Sequence, residues 1–492
     1  MIRAVTVIVA FAILGAVPVE NVRVLAVETR GGKSHWNFMS GLLRSLTDAG
    51  HEVVAFTPFP DGPRANYTEI DTSGQVKVHV GVTAERVLKD FALMSTNVAI
   101  IRHNCDGILR HRRFEGILRD HDAGTAKFDV VIADPSAADC VSHVAHTLNL
   151  PVVYSISSSM LTFAERRFTG HASNPACISN LIAHHSVPRT FVQRLTNTFT
   201  TVYSTAAYEY ENWLQRITDP KPYDSSPSVP PSVIFQNSYY GTEAPRPVPT
   251  NLIDVGGIHL KPAGKIPKDI LEFIEESSHG VIYFTFGSVF KISSLPHHII
   301  KAFKEALANV PQRVLWKYED EMEDLPENVM IKKWFPQRDI LLHPKIKLFI
   351  SHGGISGVYE ALDAGVPVLG FPLFYDQLRN IDNLVSAEMA ISMDLFSVSK
   401  KSLLNAFLEL ITDEKYTKNA KIASIRFKDR PMSPQQSVIY WTEYVIRHNG
   451  APHLRSLIYN STWYQYFLLD VVFVLLIPFF LISYLIYKII SL

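Results

Sequence analysis

Short apolar runs alternate along the chain with longer stretches whose apolar positions recur every three or four residues. VRVLAVET (22–29) is β-branched and suits a buried strand. GGKSHW follows, then a helix-like stretch from Phe38 to Asp48 closed by Gly50, then the strand-like HEVVAFTP (51–58). Strand, helix and strand at this spacing predict a parallel βαβ unit. FDVVIADP (128–135), the helical ADCVSHVAHTLN and PVVYSIS (151–157) continue the pattern. Residues 219–250 break it with the Pro- and Ser-rich DPKPYDSSPSVPPS and APRPVPT, which read as the end of one domain and a linker. A second alternating set starts at VIYFTFGS (281–288) and runs through RVLWKY, VMIKKWF, KLFISHGG and PVLGFP. The pattern predicts two α/β halves of similar design.

The two ends differ from this body. MIRAVTVIVAFAILGAVPVEN has one Arg, an apolar run and then small residues, the form of a signal peptide over residues 1–20. YFLLDVVFVLLIPFFLISYLIY (466–487) is long enough to span a bilayer, with Asp470 at its edge and Pro478 inside. Together they predict a type I layout. A first domain covers 21–250, a second 251–450, and a short cytosolic tail 488–492 follows the span. Charge near the span is uninformative, because basic residues lie on both sides of it.

Composition narrows the function. Lys+Arg and Asp+Glu are equal at 47 each, which argues against a nucleic-acid binder. Cys105, Cys140 and Cys177 allow at most one internal disulfide. Asn66-Tyr67-Thr68 and Asn460-Ser461-Thr462 fit the N-glycosylation pattern. Asn66 is the expected acceptor, since Asn460 sits only six residues before the apolar stretch.

Candidate chemistry concentrates in SHGGISGVYEALDAGVP (351–367). A strand ends, and Gly353, Gly354 and Gly357 let a backbone approach a ligand at a helix N-terminus, where free N–H groups favour an anion. His352 is placed to donate to a phosphate oxygen, and Glu360, one turn into the helix, to accept from ribose hydroxyls. The turn therefore suits a nucleoside diphosphate. Other strand ends converge on it. Ser288 has a hydroxyl for the same diphosphate, Trp334 a flat face for a base, and Gln337 an amide for polar edges. Asp376, Gln377 and Asn380 follow the next strand and suit sugar hydroxyls. Singly, each has a plainer use: Trp334 in a core, Asp376 in a turn, Ser288 as a helix cap.

WFPQRDILLHPKIKLFISHGGISGVYEALDAGVPVLGFPLFYDQLRN (334–380) closely resembles the signature of the UDP-glycosyltransferases, specifically the membrane-bound animal UDP-glucuronosyltransferases and their insect relatives. GGKSHW, FDVVIADP, APRPVPTNLIDVGGIHLKP, FTFGS and the terminal span extend the resemblance over nearly the whole chain. It implies a GT-B fold, two Rossmann-like domains facing across a cleft, with the UDP-sugar held by the second and an apolar acceptor by the first. Trp334 would then stack on uracil, Gln337 contact the nucleoside and Glu360 bind ribose. Ser288, His352, the backbone after Gly353, and Asn380 would face the diphosphate, and Asp376 and Gln377 the sugar. His35 matches the catalytic base and Asp134 its carboxylate partner. Such a base must take the proton of a hydroxyl acceptor as it attacks the anomeric carbon, inverting it.

The resemblance also implies residence in the endoplasmic reticulum membrane with lumenal catalytic domains, although the tail KIISL lacks the lysine-rich retention ending of relatives. Insect-like stretches such as WFPQRDILLHP and RHNGAPHLRS favour glucose as donor; glucuronic acid stays open, and its carboxylate would want an Arg such as Arg379 or Arg338. No cofactor and no metal are expected, the UDP-sugar being a co-substrate, and self-association is left open. His143 and His146 lack a completing ligand, the DHD at Asp120–Asp122 reads as a solvated loop, and EDEMED (319–324) as an exposed acidic loop. Two other classes make different demands on the chain. A membrane-anchored binding protein would need neither His35 nor Asp134, and a dinucleotide oxidoreductase would need more glycine after the first strand than Gly31-Gly32.

Overall fold

A computed structural model describes residues 21–86, 94–125, 127–181 and 183–491. The expected signal peptide lies outside the described residues. The strand-like runs become β1 (Arg23–Val27), β2 (Glu52–Thr57), β3 (Tyr67–Asp71), β4 (Val130–Ala133), β5 (Val152–Ile156), β6 (Val233–Gln236) and β7 (Leu252–Asp254). They form one parallel sheet in the order β3-β2-β1-β4-β5-β6-β7. A second parallel sheet, ordered β10-β9-β8-β11-β12-β13, comprises β8 (Val281–Thr285), β9 (Arg313–Lys317), β10 (Val329–Lys332), β11 (Ile346–Ser351), β12 (Val368–Gly370) and β13 (Ala390–Ser392). Both orders run outward from the first strand and then restart on its other side. Each lobe therefore has a switch point, β1/β4 and β8/β11, where ligands of such sheets bind.

The near-continuous apolar strands follow from burial on both faces. In the first lobe Val24, Ala26, Val53 and Ile132 pack with Trp36, Phe38 and Leu42 of the Lys33–Asp48 helix. On the other face Leu25, Val27 and Val131 pack with Cys105, Cys140 and Val141. Cys105 and Cys140 form the one disulfide among the described residues, and Cys177 is free.

Several segments differ from expectation. β7 runs to Asp254 in the first sheet, past the expected boundary at 250. The Pro434–Arg447 helix, expected in the second domain, covers the first sheet instead. Its Val438 and Val445, seven residues apart on one face, fill the apolar layer beside Val24 and Trp36. Asp120–Asp122 form the last turn of the Arg112–Asp122 helix, with no loop there. The apolar terminal helix is Leu469–Ile490, three residues later than expected, because Leu468 adopts a left-handed φ of 54° that interrupts the helix.

The lobes are clasped at several points. Thr242 and Tyr359 share a hydroxyl hydrogen bond of 2.5 Å, and Ser186 donates to Asp382 from both its amide and its hydroxyl. Near the cleft mouth, Gly81 N donates to Ser288 O at 3.0 Å and Val82 N to Val289 O at 2.6 Å.

Candidate active site between the two lobes

The two switch points face each other across a cavity of about 420 Å³. On the second lobe, β11 ends at Ser351 and the chain turns through Gly353 at φ 82° into the Ile355–Ala364 helix. A Cβ on Gly353 would sit 2.5 Å from Ile381 Cγ1, so a side chain there is excluded by space as well as by backbone angle. His352 is packed between Gly287 and Gly354, whose added Cβ atoms would fall 2.8 and 2.5 Å from its ring. Burial, and then Lys317, lower the His352 pKa to about 4. The ring is thus neutral near neutral pH. Its Nδ1 is buried without a hydrogen-bond partner among the described residues.

Trp334 stands 70% exposed at the cavity rather than in a core. Gln337 receives a hydrogen bond from Tyr283 OH at 3.3 Å and donates to Glu360 Oε2. Burial raises the Glu360 pKa to about 7, against the lowering effect of Gln337. Ser288, Gly357, Asp376 and Gln377 also line the cavity. Gln377 Oε1 is already engaged, accepting from Leu373 N and Phe374 N. Burial raises the pKa of Asp376, while Asn380 Nδ2, donating at 2.9 Å, lowers it. Tyr375, just before it, has a left-handed φ of 54°, a strained residue at the cleft.

Asn380 departs from the diphosphate-facing role expected of it. It is fully buried, its amide donates to Gly353 O and Asp376, and its carbonyl accepts from Ser159. It braces the glycine turn against the Asp376 carboxylate and the other lobe. Gly353 likewise shapes the turn from below the cavity surface.

On the first lobe, His35 lies in the first turn of the Lys33–Asp48 helix, after β1, and Asp134 follows β4. His35 Nδ1 is 3.7 Å from Asp134 Oδ2, ion-pair range but longer than a hydrogen bond, and is hydrogen-bonded to Ser157 Oγ after β5. Nδ1 therefore faces protein on two sides, which leaves Nε2 for the cavity. Burial lowers the His35 pKa below its ordinary value, although Asp134 and Asp376 pull it up. Burial would raise Asp134, but His35, Arg30 and the Ser136 side chain outweigh it and hold the carboxyl below its usual range. Asp134 is 4% exposed and lies behind the imidazole.

Ser157, Arg30 and Lys317 were missed in the sequence. Arg30 lines the cavity and donates to Ser136 Oγ at 2.7 Å; Lys317 lines it and pairs with Glu319 at 2.7 Å. Only their positions at the ends of β5, β1 and β9 could have marked them. Asn66 is exposed, at a left-handed φ of 55°.

The model of the "UDP-glucoronosyl and UDP-glucosyl transferase" family matches residues 55–492. The chain belongs to this family. It is 37% identical over 470 residues to UDP-glucosyltransferase 2 of Dactylopius coccus, covering 93% of this chain and 90% of that one. It is 30% identical over 485 residues to human UDP-glucuronosyltransferase 2B17, covering 90% and 88%. Its fold is similar to that of a single-substitution variant of Os79 from O. sativa, solved in complex with UDP (TM-score 0.60, 15% identity, 86% of this chain and all of that one). The glycosyltransferase SnogD from Streptomyces nogalater is a further structural neighbour (TM-score 0.53, 16% identity, 86% and 99%). This UDP-glycosyltransferase has the GT-B architecture, and its switch-point crevices face one another as two Rossmann-like lobes require.

Proposed function

We propose that this UDP-glycosyltransferase moves glucose from UDP-glucose to a hydroxyl of a small lipophilic acceptor, with His35 as base. The observation that carries the reading is the imidazole of His35, backed by Ser157 and Asp134, across one cavity from the glycine turn at 353–354. Trp334 is exposed where a uracil would stack, and Gln337 and Glu360 present the edge for nucleoside hydroxyls. The helix N-terminus after Gly354 and the neutral His352 face the diphosphate.

In the reaction, the acceptor oxygen bonds to the anomeric carbon as its proton passes to His35 Nε2. The bond from that carbon to the β-phosphate oxygen breaks, the pair of electrons leaves with UDP, and the configuration inverts. Asp134 stabilises the imidazolium so formed. Negative charge grows on the departing diphosphate, beside the N-terminus of the Ile355–Ala364 helix, whose main-chain N–H groups would stabilise it. Metal-independence is part of the proposal.

The choice of glucose rests on the donor-lobe arginines. Arg379 is fully buried and donates to Met160 O at 2.7 Å, in the other lobe. Arg338 is paired with Asp363 at 2.8 Å. Neither stands ready for a hexuronate carboxylate.

A membrane-anchored enzyme with its lobes in the lumen of the endoplasmic reticulum fits the Leu469–Ile490 helix, which has an 18-residue stretch of mean hydropathy 2.6 and no buried residues. Glycan addition at the exposed Asn66 belongs to the same proposal. The test is transfer by microsomes carrying the full chain, supplied with UDP-glucose or UDP-glucuronate and a phenol and steroid panel, with and without His35→Ala. Transfer from UDP-glucose, lost in His35→Ala with UDP binding kept, is expected. Transfer only from UDP-glucuronate overturns the donor assignment. No transfer from either, with UDP bound, points to a binding protein.

A further inference from the structure

The Arg and Lys side chains lining the cavity, among the described residues, are Arg30, Lys317 and Arg338. Lys317 and Arg338 belong to the second lobe. Each has a carboxylate partner, Glu319 at 2.7 Å and Asp363 at 2.8 Å. Arg30, on the first lobe, differs. Its guanidinium donates to Ser136 Oγ, a neutral oxygen, at 2.7 Å and is in no ion pair among the described residues. Glu28, two residues back, accepts from the Arg30 and Gly31 amides at 2.7 and 3.2 Å. Burial, and then Asp134, raise the Glu28 pKa to about 8, so this carboxyl offsets little of the guanidinium's charge.

The turn that carries Arg30 is fixed from several sides. Glu28 is 1% exposed beneath it. Asn104, fully buried, donates to Thr29 O at 2.8 Å and to Lys77 O at 3.3 Å. His79 N donates to Gly31 O at 2.9 Å. Gly31 itself takes a φ of 71°, and a Cβ there would overlap the Lys77 carbonyl. A solvated surface arginine needs none of these contacts. Here the entropy of ordering the turn is lost on folding rather than on binding a ligand. The wall beside it is apolar. Ile100 and Ile101 lie one turn before Asn104 on the Met94–Leu109 helix, and with Leu161 they line the cavity.

Proton transfer gives a further reason for an anion here. Arg30 acts on both His35 and Asp134, lowering the pKa of each. Once His35 holds the acceptor proton, an imidazolium stands beside the guanidinium. Asp134 is ionised behind them, while burial favours the neutral form of Asp376, which faces His35 from the second lobe. The crevice then lacks one negative charge, and the acceptor can bring it.

We propose that Arg30 sets acceptor specificity by binding the carboxylate of a lipophilic hydroxy acid whose hydroxyl faces His35. The inference rests on the transfer reaction proposed above and names its substrate class. The carboxylate is not consumed; the bond formed is still that from the hydroxyl oxygen to the anomeric carbon. An arginine suits the task because its fork of N–H groups matches two carboxylate oxygens.

The test supplies microsomes carrying the full chain with UDP-glucose and hydroxyaryl acids of increasing length. These are para-hydroxybenzoate, para-hydroxycinnamate and a hydroxybiphenyl carboxylate, each against its primary amide. The parent is expected to prefer at least one acid over its amide by about 10–100-fold in kcat/KM, the worth of a hydrogen-bonded charge pair. Arg30→Gln, which can still donate to Ser136, should level that ratio, and Arg30→Lys should keep part of it. A parent that uses acids and amides equally overturns the inference without any variant. So does an Arg30→Gln that loses both alike, since Arg30 would then only hold Ser136 and Asp134 in place. A loss confined to transfer from UDP-glucuronate, or weaker UDP binding by the solubilised variant, puts the guanidinium on the donor and also overturns it. If Arg30→Gln lacks the parent's thermal midpoint, Arg30→Lys and the parent's own ratio decide. No transfer from UDP-glucose to any acceptor by the parent removes the reaction and this inference together.

Discussion

At the β1/β4 crevice of the first lobe stands a titrating imidazole, backed by Ser157 and Asp134. At the β8/β11 crevice of the second stand a glycine turn, a helix N-terminus and a histidine held neutral by burial. The strand order is the same, but the chemistry differs because different residues leave each strand. After β1 a helix starts with a side chain that changes charge, while after β11 two glycines leave only main-chain dipoles. Under the proposed function, one topology serves as a base on one side and as an anion cradle on the other. The second lobe's polar groups largely satisfy one another, as in Tyr283–Gln337–Glu360 and Asn380–Gly353. In the first lobe, His35 lines the cavity with Nδ1 engaged by Ser157 and Asp134.

The comparison breaks most sharply at the base. His35→Ala is expected to cut kcat by about 10²–10⁴-fold with UDP affinity unchanged by titration calorimetry. An equal loss of UDP binding would show that the lobes do not divide the work. In the parent, kcat/KM should fall in acid with a midpoint below the ordinary imidazole value of 6.5, because burial lowers the His35 pKa.

A step smaller is the scaffold of the first lobe. Replacing both Cys105 and Cys140 by Ser is expected to cost about 2–4 kcal/mol of stability in denaturant titration. If the second lobe binds UDP as proposed, UDP should still protect that lobe from proteolysis.

Trp334→Ala touches only the donor side. Its exposure means stability should hold, while UDP affinity falls by about 1–3 kcal/mol, the worth of one base stacked on an aromatic ring. Loss of stability without loss of affinity would return Trp334 to a packing role.

The smallest expected effect is a slope. Burial, and then Asp134, raise Glu28 to about 8, and burial raises Glu360 to about 7, both from an ordinary 4.5. A raised carboxyl means the folded state binds more protons than the unfolded one across that window, so stability falls as pH rises through it. Glu28→Gln should flatten the fall from pH 4.5 up to about 8, and Glu360→Gln only the part below about 7. Identical effects from both would erase the distinction between the lobes.

Much of the donor side was legible because its residues lie close together within a single strand-turn-helix. Gly353, Gly354 and Glu360 are set by local geometry, and Trp334 and Gln337 fall just after β10. The first lobe was harder. His35 and Asp134 stood out only through family likeness, and Ser157 has no local signal, since its partner is 122 residues away. Asn380 was expected at the surface of the turn but is buried beneath it, bonded to Gly353, Asp376 and Ser159 of the other lobe, a contact the local sequence does not show.

By itself, the sequence determined the two parallel sheets, the glycine turn and the terminal apolar helix, since each arises from periodicity or composition within a few dozen residues. Only the tertiary structure decided that the Pro434–Arg447 helix returns to cover the first lobe, that Arg379 is bound by carbonyls across the cleft, and that the Phe191–Thr218 helix points its apolar face outward. A helical pattern shows that a helix has two faces. Which face meets protein depends on contacts between residues far apart in the chain, and periodicity carries no record of those.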